Sequence, residues 1–202
     1  MVFTSSLLSW FRIAGFLLAL LSAGLVHAAD VQELKLTNPA PEAAFSTYAH
    51  FEVKPIAMGA PYAGQSANDK ALIKIQKNFD LRVNPLLAAW NAKAAASKEG
   101  KTLVLEPSIV EIKFINATAR VWAGALAGSS GVILRIRFVD KDTGQAIAEP
   151  EFYQRANGHG GAWSFGATDN NMLVRITEVA TNYITANYEK AVGGPTGAEK
   201  KK

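Results

Sequence analysis

Residues 131–155 read GVILRIRFVDKDTGQAIAEPEFYQR, and this stretch predicts a β-hairpin. Apolar and basic side chains alternate along its first half, as expected for a strand with one buried face. The segment DKDTG then supplies a turn in which Gly144 can adopt a positive φ. The apolar face of the first strand consists of Val132, Leu134, Ile136 and Phe138.

Two pairs of opposite charges fix the predicted register of the hairpin. Arg135 and Arg137 share the polar face of the first strand, and Glu149 and Glu151 share a face of the return strand. Pairing these faces puts both apolar sets on the core side, whereas a slip by one residue would not. The glutamates could also suggest an acid pair for glycoside hydrolysis, but neighbouring arginines keep carboxylates ionised. We therefore interpret the four charges as cross-strand ion pairs.

The rest of the chain predicts one α/β (α+β) sandwich. TYAHFEVKPIAM, residues 47–58, alternates like a half-buried strand, and a helix follows that breaks at Asn84-Pro85 before a second helix to about residue 97. TLVLEPSIVEIKFIN, residues 102–116, is strand material in which Pro107 favours a bulge or a sheet edge. The expected fold is a mostly antiparallel sheet of about 4–5 strands, including the hairpin, packed against about three helices. The last helix carries a broad apolar stripe of Met172, Leu173, Ile176, Val179, Ala180, Tyr183 and Ile184.

The N-terminus predicts export. Residues 1–28 contain one charge, Arg12, followed by an uncharged stretch, and Val26 and Ala28 fit the small-residue rule for cleavage after Ala28. The predicted organisation is a signal peptide over 1–28, a single domain over 29–190 and a flexible basic tail over 191–202. The chain contains no cysteine, which excludes disulfides and a lipid-modified cysteine and favours a periplasmic protein without a membrane span in its mature form.

Charge and residue types exclude several functions. Without Arg12 and the terminal EKKK, residues 29–198 hold 17 basic and 16 acidic residues, so the domain is almost neutral and nucleic-acid binding is not expected. The mature chain has only two histidines, His50 and His159, and no metal site, cofactor or catalytic set is predicted. An enzymatic function is therefore disfavoured.

Two glycine-rich segments carry the functional prediction. RVWAGALAGSSGVILRIR, residues 120–137, lacks the lysine and the following helix of a phosphate loop and is too short in its uncharged part to span a membrane. NGHGGAWSFGA, residues 157–167, begins where the return strand ends, so both segments should meet at one end of the sheet, beside the start of the last helix. The candidate ligand- or partner-binding residues are Trp122, Ser129, Ser130, His159, Trp163 and Phe165.

These residues leave three interpretations open. The segments bind another envelope component, such as a protein or peptidoglycan, or their aromatic residues only cap the core. Alternatively, the chain is a small-ligand-binding protein or a cryptic hydrolase that uses His159 with Ser129 or Ser130.

The region around the hairpin resembles bacterial envelope domains of the type called domain of unknown function 4410. The resemblance implies an exported α/β fold similar to other envelope modules and no assigned activity. Many such domains belong to lipoproteins, and this chain departs from them because it lacks cysteine. The residues that carry the resemblance are Trp122, Gly124, Gly128, Ser129, Asp140, Thr143, Gly144, Ala148 and Glu149.

Overall fold

The structure is a computed structural model that describes residues 35–94, 100–114, 130–156 and 167–198. These ranges contain two α-helices, eight strands of 2 to 12 residues and one 3-10 turn at Phe45–Thr47. In chain order, the elements are β1 (Thr37–Asn38), β2 (His50–Val53), β3 (Ala57–Met58), α1 (Ser66–Ala94), β4 (Thr102–Lys113), β5 (Gly131–Asp140), β6 (Ala146–Ala148), β7 (Glu151–Arg155), α2 (Ala167–Ala186) and β8 (Gly194–Pro195).

The main sheet is mixed and has six strands built around β4 and β5, which are antiparallel to each other. β6 and β7 pair with β5 in antiparallel fashion, but β2 and β3 run parallel to β4. Most of the pairing is antiparallel, as expected, but the sheet has six strands instead of the expected 4–5, and the two parallel pairs were not predicted. The cause of the parallel pairing is α1, because the helix carries the chain back along the sheet, so that β4 starts beside the start of β2.

The hairpin has the predicted register. Arg135 lies opposite Glu151 and contacts its carboxylate, and Arg137 Nε donates to Glu149 Oε1 at 3.0 Å. The ion-pair interpretation is therefore confirmed. The return strand is divided into β6 and β7 around Pro150, whose carbonyl accepts from the Ile136 N–H at 3.1 Å. The apolar face of β5 is buried at all four predicted positions.

One helix replaces the two predicted around Asn84-Pro85. α1 runs unbroken for 29 residues with Pro85 inside it. Proline removes one helical hydrogen bond, but Asn84 and Pro85 lie on the exposed side, where water can solvate the freed carbonyl of Leu81. The buried stripe of α1 continues on both sides of Pro85, so packing holds the helix together across the proline. This stripe consists of Ala71, Ile75, Phe79, Val83, Leu87 and Trp90.

Pro107 lies in an inner strand, contrary to the prediction of an edge or bulge at this position. The carbonyl of Leu105 accepts from the Lys54 N–H at 2.9 Å, so alternate residues of β4, including Pro107, turn their backbone groups toward β2 and β3. β2 ends opposite Leu105 and β3 begins opposite Ser108, which leaves a gap at Pro107. Because no strand pairs with β4 at this point, the missing N–H of Pro107 leaves no backbone acceptor without its donor. The register shift of β4 falls instead between Ile109 and Glu111.

Both helices pack on the same face of the sheet and form a two-layer domain with one main core. The predicted stripe of α2 contributes six buried residues to this core, and Val179 packs against it. Phe138 of β5 stacks on Phe45, with ring centroids 4.6 Å apart, so the 3-10 turn packs against the core face of the hairpin. The opposite face of the sheet carries the charged pairs and a small apolar cluster of Ile133 and Tyr153. None of the helices in these ranges has the length and apolar character needed to cross a membrane.

Two asparagine side chains close the sides of the sheet. The Asn91 amide accepts from the Phe51 N–H at 2.7 Å and donates to the Phe51 carbonyl at 3.0 Å, at the outer side of β2. Asn38 makes the same two bonds to Glu151 of β7, at 2.9 and 2.8 Å. Each amide therefore mimics a neighbouring strand and blocks pairing with another chain at these positions.

Part of the segment predicted as a flexible tail packs onto the domain. β8 pairs with β1, the Thr196 carbonyl accepts from the Tyr153 N–H at 2.8 Å, and Thr196 is only 5% exposed. Gly193 makes this path feasible, because its φ is +74° and a Cβ there would lie 2.5 Å from the Asn38 carbonyl oxygen. The ordered domain thus extends beyond residue 190.

Candidate functional site

The ends of three strands define one end of the sheet. Lys113 of β4 lies opposite Gly131 of β5, and Gly131 lies opposite Arg155 of β7. Just beyond them, the Ala156 N–H donates to the Ser130 carbonyl at 3.0 Å. Segments 115–129 and 157–166 therefore both start from this end, and the first also returns to it. We call the stems of these segments, residues 113–114, 130–131 and 155–156, the loop end of the sheet.

Of the six predicted site residues, the structure describes Ser130. This residue lies in the loop end and is 9% exposed. Trp122, Ser129, His159, Trp163 and Phe165 lie outside the described residues. Their convergence on a common surface stays a prediction. The structure does place Phe114 and Ser130 at the two ends of segment 115–129, and Ala156 at the start of segment 157–166.

Helix α2 is tied to the loop end by an arginine. Arg175 Nε donates to Gln154 Oε1 at 2.9 Å, and its Nη2 donates to the Arg155 carbonyl at 2.7 Å. Gln154 Nε2 in turn contacts the Gly197 carbonyl at 3.4 Å. This chain of bonds joins α2, β7 and the C-terminal segment, so the position of α2 relative to β7 is fixed about two turns after the helix start.

Two ionisable residues near the loop end were missed by sequence reasoning. Glu111 and Tyr153 both lie opposite Ile133, on the outer face of the sheet. Tyr153 is 5% exposed, and its hydroxyl is buried with no hydrogen-bond partner in the described part of the chain. Burial raises the pKa of Tyr153 and the pKa of Glu111, although Lys113 works against the latter shift. The parity of β7 could have placed Tyr153 on this face, but its burial depends on Ala198, which packs there from the C-terminal segment.

Asp140, at the other end of β5, has a structural role. Its carboxylate accepts from the Tyr48 hydroxyl at 3.3 Å, from Lys101 Nζ at 3.1 Å, and from the N–H groups of Asp142 and Thr143 at 3.0 and 3.2 Å. Burial alone would raise the pKa of Asp140, but the bonds from Lys101 and the turn leave that pKa below its ordinary value. The carboxylate thus anchors the hairpin turn.

Several other charged groups of the outer face form pairs across the strands. Lys54 Nζ contacts Glu106 at 2.6 Å, and Arg137 contacts Glu106 at 2.9 Å and Glu149 at 3.0 Å. Between 26% and 62% of each side chain is exposed, so each pair contributes modestly to stability. In the described ranges, histidine, aspartate and glutamate form no group of three that could hold a metal ion.

Solved structures with some similarity to the chain come from several bacteria. A Xanthomonas campestris protein of the DUF330 family gives a TM-score of 0.41 at 11% identity, over 75% of this chain and 92% of that one. The PelC dodecamer from Paraburkholderia phytofirmans gives 0.36 at 14% identity, over 69% and 91% of the two chains. A putative lipoprotein from Caulobacter crescentus gives 0.33 at 11% identity, over 68% and 89%.

No family model matches the chain, and no curated protein does either. The resemblance to domain of unknown function 4410 therefore stays a prediction.

Proposed function

We propose that the chain is an exported, periplasmic, non-enzymatic domain that binds another envelope component through its two glycine-rich segments. The partner would be a protein or peptidoglycan. The N-terminal 28 residues and the absence of cysteine support the compartment. Mass spectrometry of the protein recovered from cells tests it, since the mature chain should begin at Ala29.

The observation that carries the binding proposal is the junction of Ala156 and Ser130. Their backbone hydrogen bond joins the stems of two segments that together hold two tryptophans, a phenylalanine and a histidine. Aromatic side chains on loops that project from a rigid sheet are well suited to recognition, because they offer large contact area at a low entropic cost. The described carboxylates of Asp140, Glu149 and Glu151 are engaged in structural contacts, which favours binding over acid–base chemistry.

Alanine variants of the two tryptophans test the site. In-cell cross-linking followed by mass spectrometry should identify partners of the wild-type protein, and Trp122→Ala and Trp163→Ala should each reduce their recovery about tenfold. Asn182→Ala, a change at an exposed position of α2, is the matched control and should leave recovery unchanged. Far-UV circular dichroism verifies that all variants fold. Undiminished recovery by both folded tryptophan variants would refute the site.

A further inference from the structure

A shallow groove runs between α1 and the segment that links β2 to β3. It consists of two adjoining depressions of about 490 and 320 Å³, which share Gln76 and Asp80. The groove lies along the β2 and β3 side of the sheet, whereas β7 forms the opposite side. The larger depression is lined mainly by the apolar side chains of Ile56, Leu72, Ile73 and Leu81.

Two large apolar side chains beside this groove are open to solvent. Ile73 is 68% exposed and Leu81 is 64% exposed, although the core face of the same helix is fully buried. The two residues are eight positions apart, which is about 12 Å along a helix. Exposed apolar side chains grouped around a concave surface are typical of a contact with another macromolecule.

Unpaired basic groups accompany these apolar side chains. Lys77 lies between Ile73 and Leu81 in sequence, and Lys70 lies one turn before Ile73. In the ranges 35–94, 100–114, 130–156 and 167–198, neither ammonium group has a salt bridge or hydrogen bond, whereas Lys54, Lys101 and Lys141 all do. Asp80 accepts a hydrogen bond from the Gln76 amide at 2.8 Å. A partner that supplies carboxylates next to apolar groups would complement this stripe.

The backbone next to the groove offers few free groups for strand addition. Asn91 occupies both polar groups of Phe51, and Gln76 Oε1 accepts from the Ile56 N–H at 2.7 Å. Pro55, between them on this side, has no N–H to offer. These occupied groups favour docking through side chains, which is how an amphipathic helix lies in a groove.

We propose that the groove binds an amphipathic helix of another protein whose apolar face is flanked by glutamate or aspartate. Its apolar side chains would pack over Ile73 and Leu81, and its carboxylates would pair with Lys70 and Lys77. A second copy of this chain is a poorer occupant, because the same face of its own α1 carries Lys70 and Lys77 and offers only Asp80 as a carboxylate, which already accepts from Gln76. The surface is separate from the loop end, so it stands independently of the proposed loop function.

Three synthetic helical peptides of about 18 residues test this proposal. They share one leucine face and carry glutamate, glutamine or lysine beside it, and fluorescence anisotropy measures their binding to the mature protein. We expect the order glutamate, glutamine, lysine from strongest to weakest, with the advantage of the glutamate peptide reduced at high salt. Lys77→Glu should weaken that peptide about three- to tenfold, and Ile73→Ala with Leu81→Ala should weaken it about tenfold or more.

Control variants and self-association complete the test. Val192→Asp changes an exposed apolar residue away from the groove and should leave binding unchanged. All substituted side chains are exposed, so folding should be preserved, and circular dichroism checks it. The proposal is overturned if no peptide binds below about 1 mM, if peptide charge has no effect, or if Lys77→Glu binds like wild type. It is also overturned if sedimentation shows a dimer that Ile73→Ala dissociates, because a second copy would then be the occupant.

Discussion

The Asn91 clamp on β2 gives a stability prediction that follows directly from the geometry. Asn91→Ala removes two hydrogen bonds, to the N–H and the carbonyl of Phe51, at 2.7 and 3.0 Å. Each contributes about 0.5–1.5 kcal/mol, so their loss should cost about 1–3 kcal/mol. Alanine regains about half a kcal/mol through its higher helix propensity. We expect the free energy of unfolding to fall by about 0.5–2.5 kcal/mol.

Asn84 provides a matched control in the same helix. Its side chain is exposed and makes no hydrogen bond within the described ranges, so Asn84→Ala should leave stability unchanged or raise it by about 0.5 kcal/mol through helix propensity. Urea unfolding, followed by circular dichroism and by the fluorescence of the buried Trp90, measures both variants. Equal stability of Asn91→Ala and Asn84→Ala would refute the clamp.

Three further predictions concern the turn, the C-terminal segment and the outer face. Asp140→Asn should destabilise the protein at neutral pH; because the pKa of Asp140 is lowered in the folded state, acid unfolding curves should show the deficit shrinking as pH falls below about 4 and disappearing only below the folded-state pKa. Gly193→Ala should cost more stability in urea than Gly64→Ala, because both have positive φ but only Gly193 has backbone atoms where the Cβ would lie; equal costs would contradict the packing of this segment. Arg137→Gln should cost at most about 1 kcal/mol in urea, and less in high salt; a larger loss would mean that its exposed ion pairs are stronger than such pairs usually are.

The hairpin and α2 could be predicted from the sequence because their information is local. Alternation along 131–155 places both faces of β5, and the opposite charges of Arg137 and Glu149 select one register. The apolar stripe of α2 likewise corresponds to its buried face. In both elements, the residues that the periodic pattern marks as apolar are the ones buried in the core or packed against it.

Features that depend on distant contacts could not be predicted in the same way. Pro85 is a strong local signal for a break, but the core contacts of Phe79 and Leu87 on either side outweigh it. The parallel pairing of β2 with β4 depends on the path of α1, and the roles of Asn38 and Asn91 depend on which strand each amide meets. Polar residues of this kind give no periodic pattern.

The stems of the two glycine-rich segments were predictable, whereas the convergence of their aromatic residues stays a prediction. The hairpin register alone places Ser130 and Ala156 side by side, which brings the two glycine-rich segments to one end of the sheet. Tyr153 and Glu111 were missed, because their burial arises from the bulge in β4 and from a C-terminal segment that the sequence suggested to be a flexible tail.

Site-specific photo-cross-linking in living cells tests the central claim most directly. A photoreactive amino acid is introduced in place of Trp122, Trp163 or the exposed control residue Asn182. The account predicts that positions 122 and 163 capture the same envelope component and that position 182 does not. Capture of that component only from position 182, or equally from all three positions, would contradict a binding surface at the loop end of the sheet.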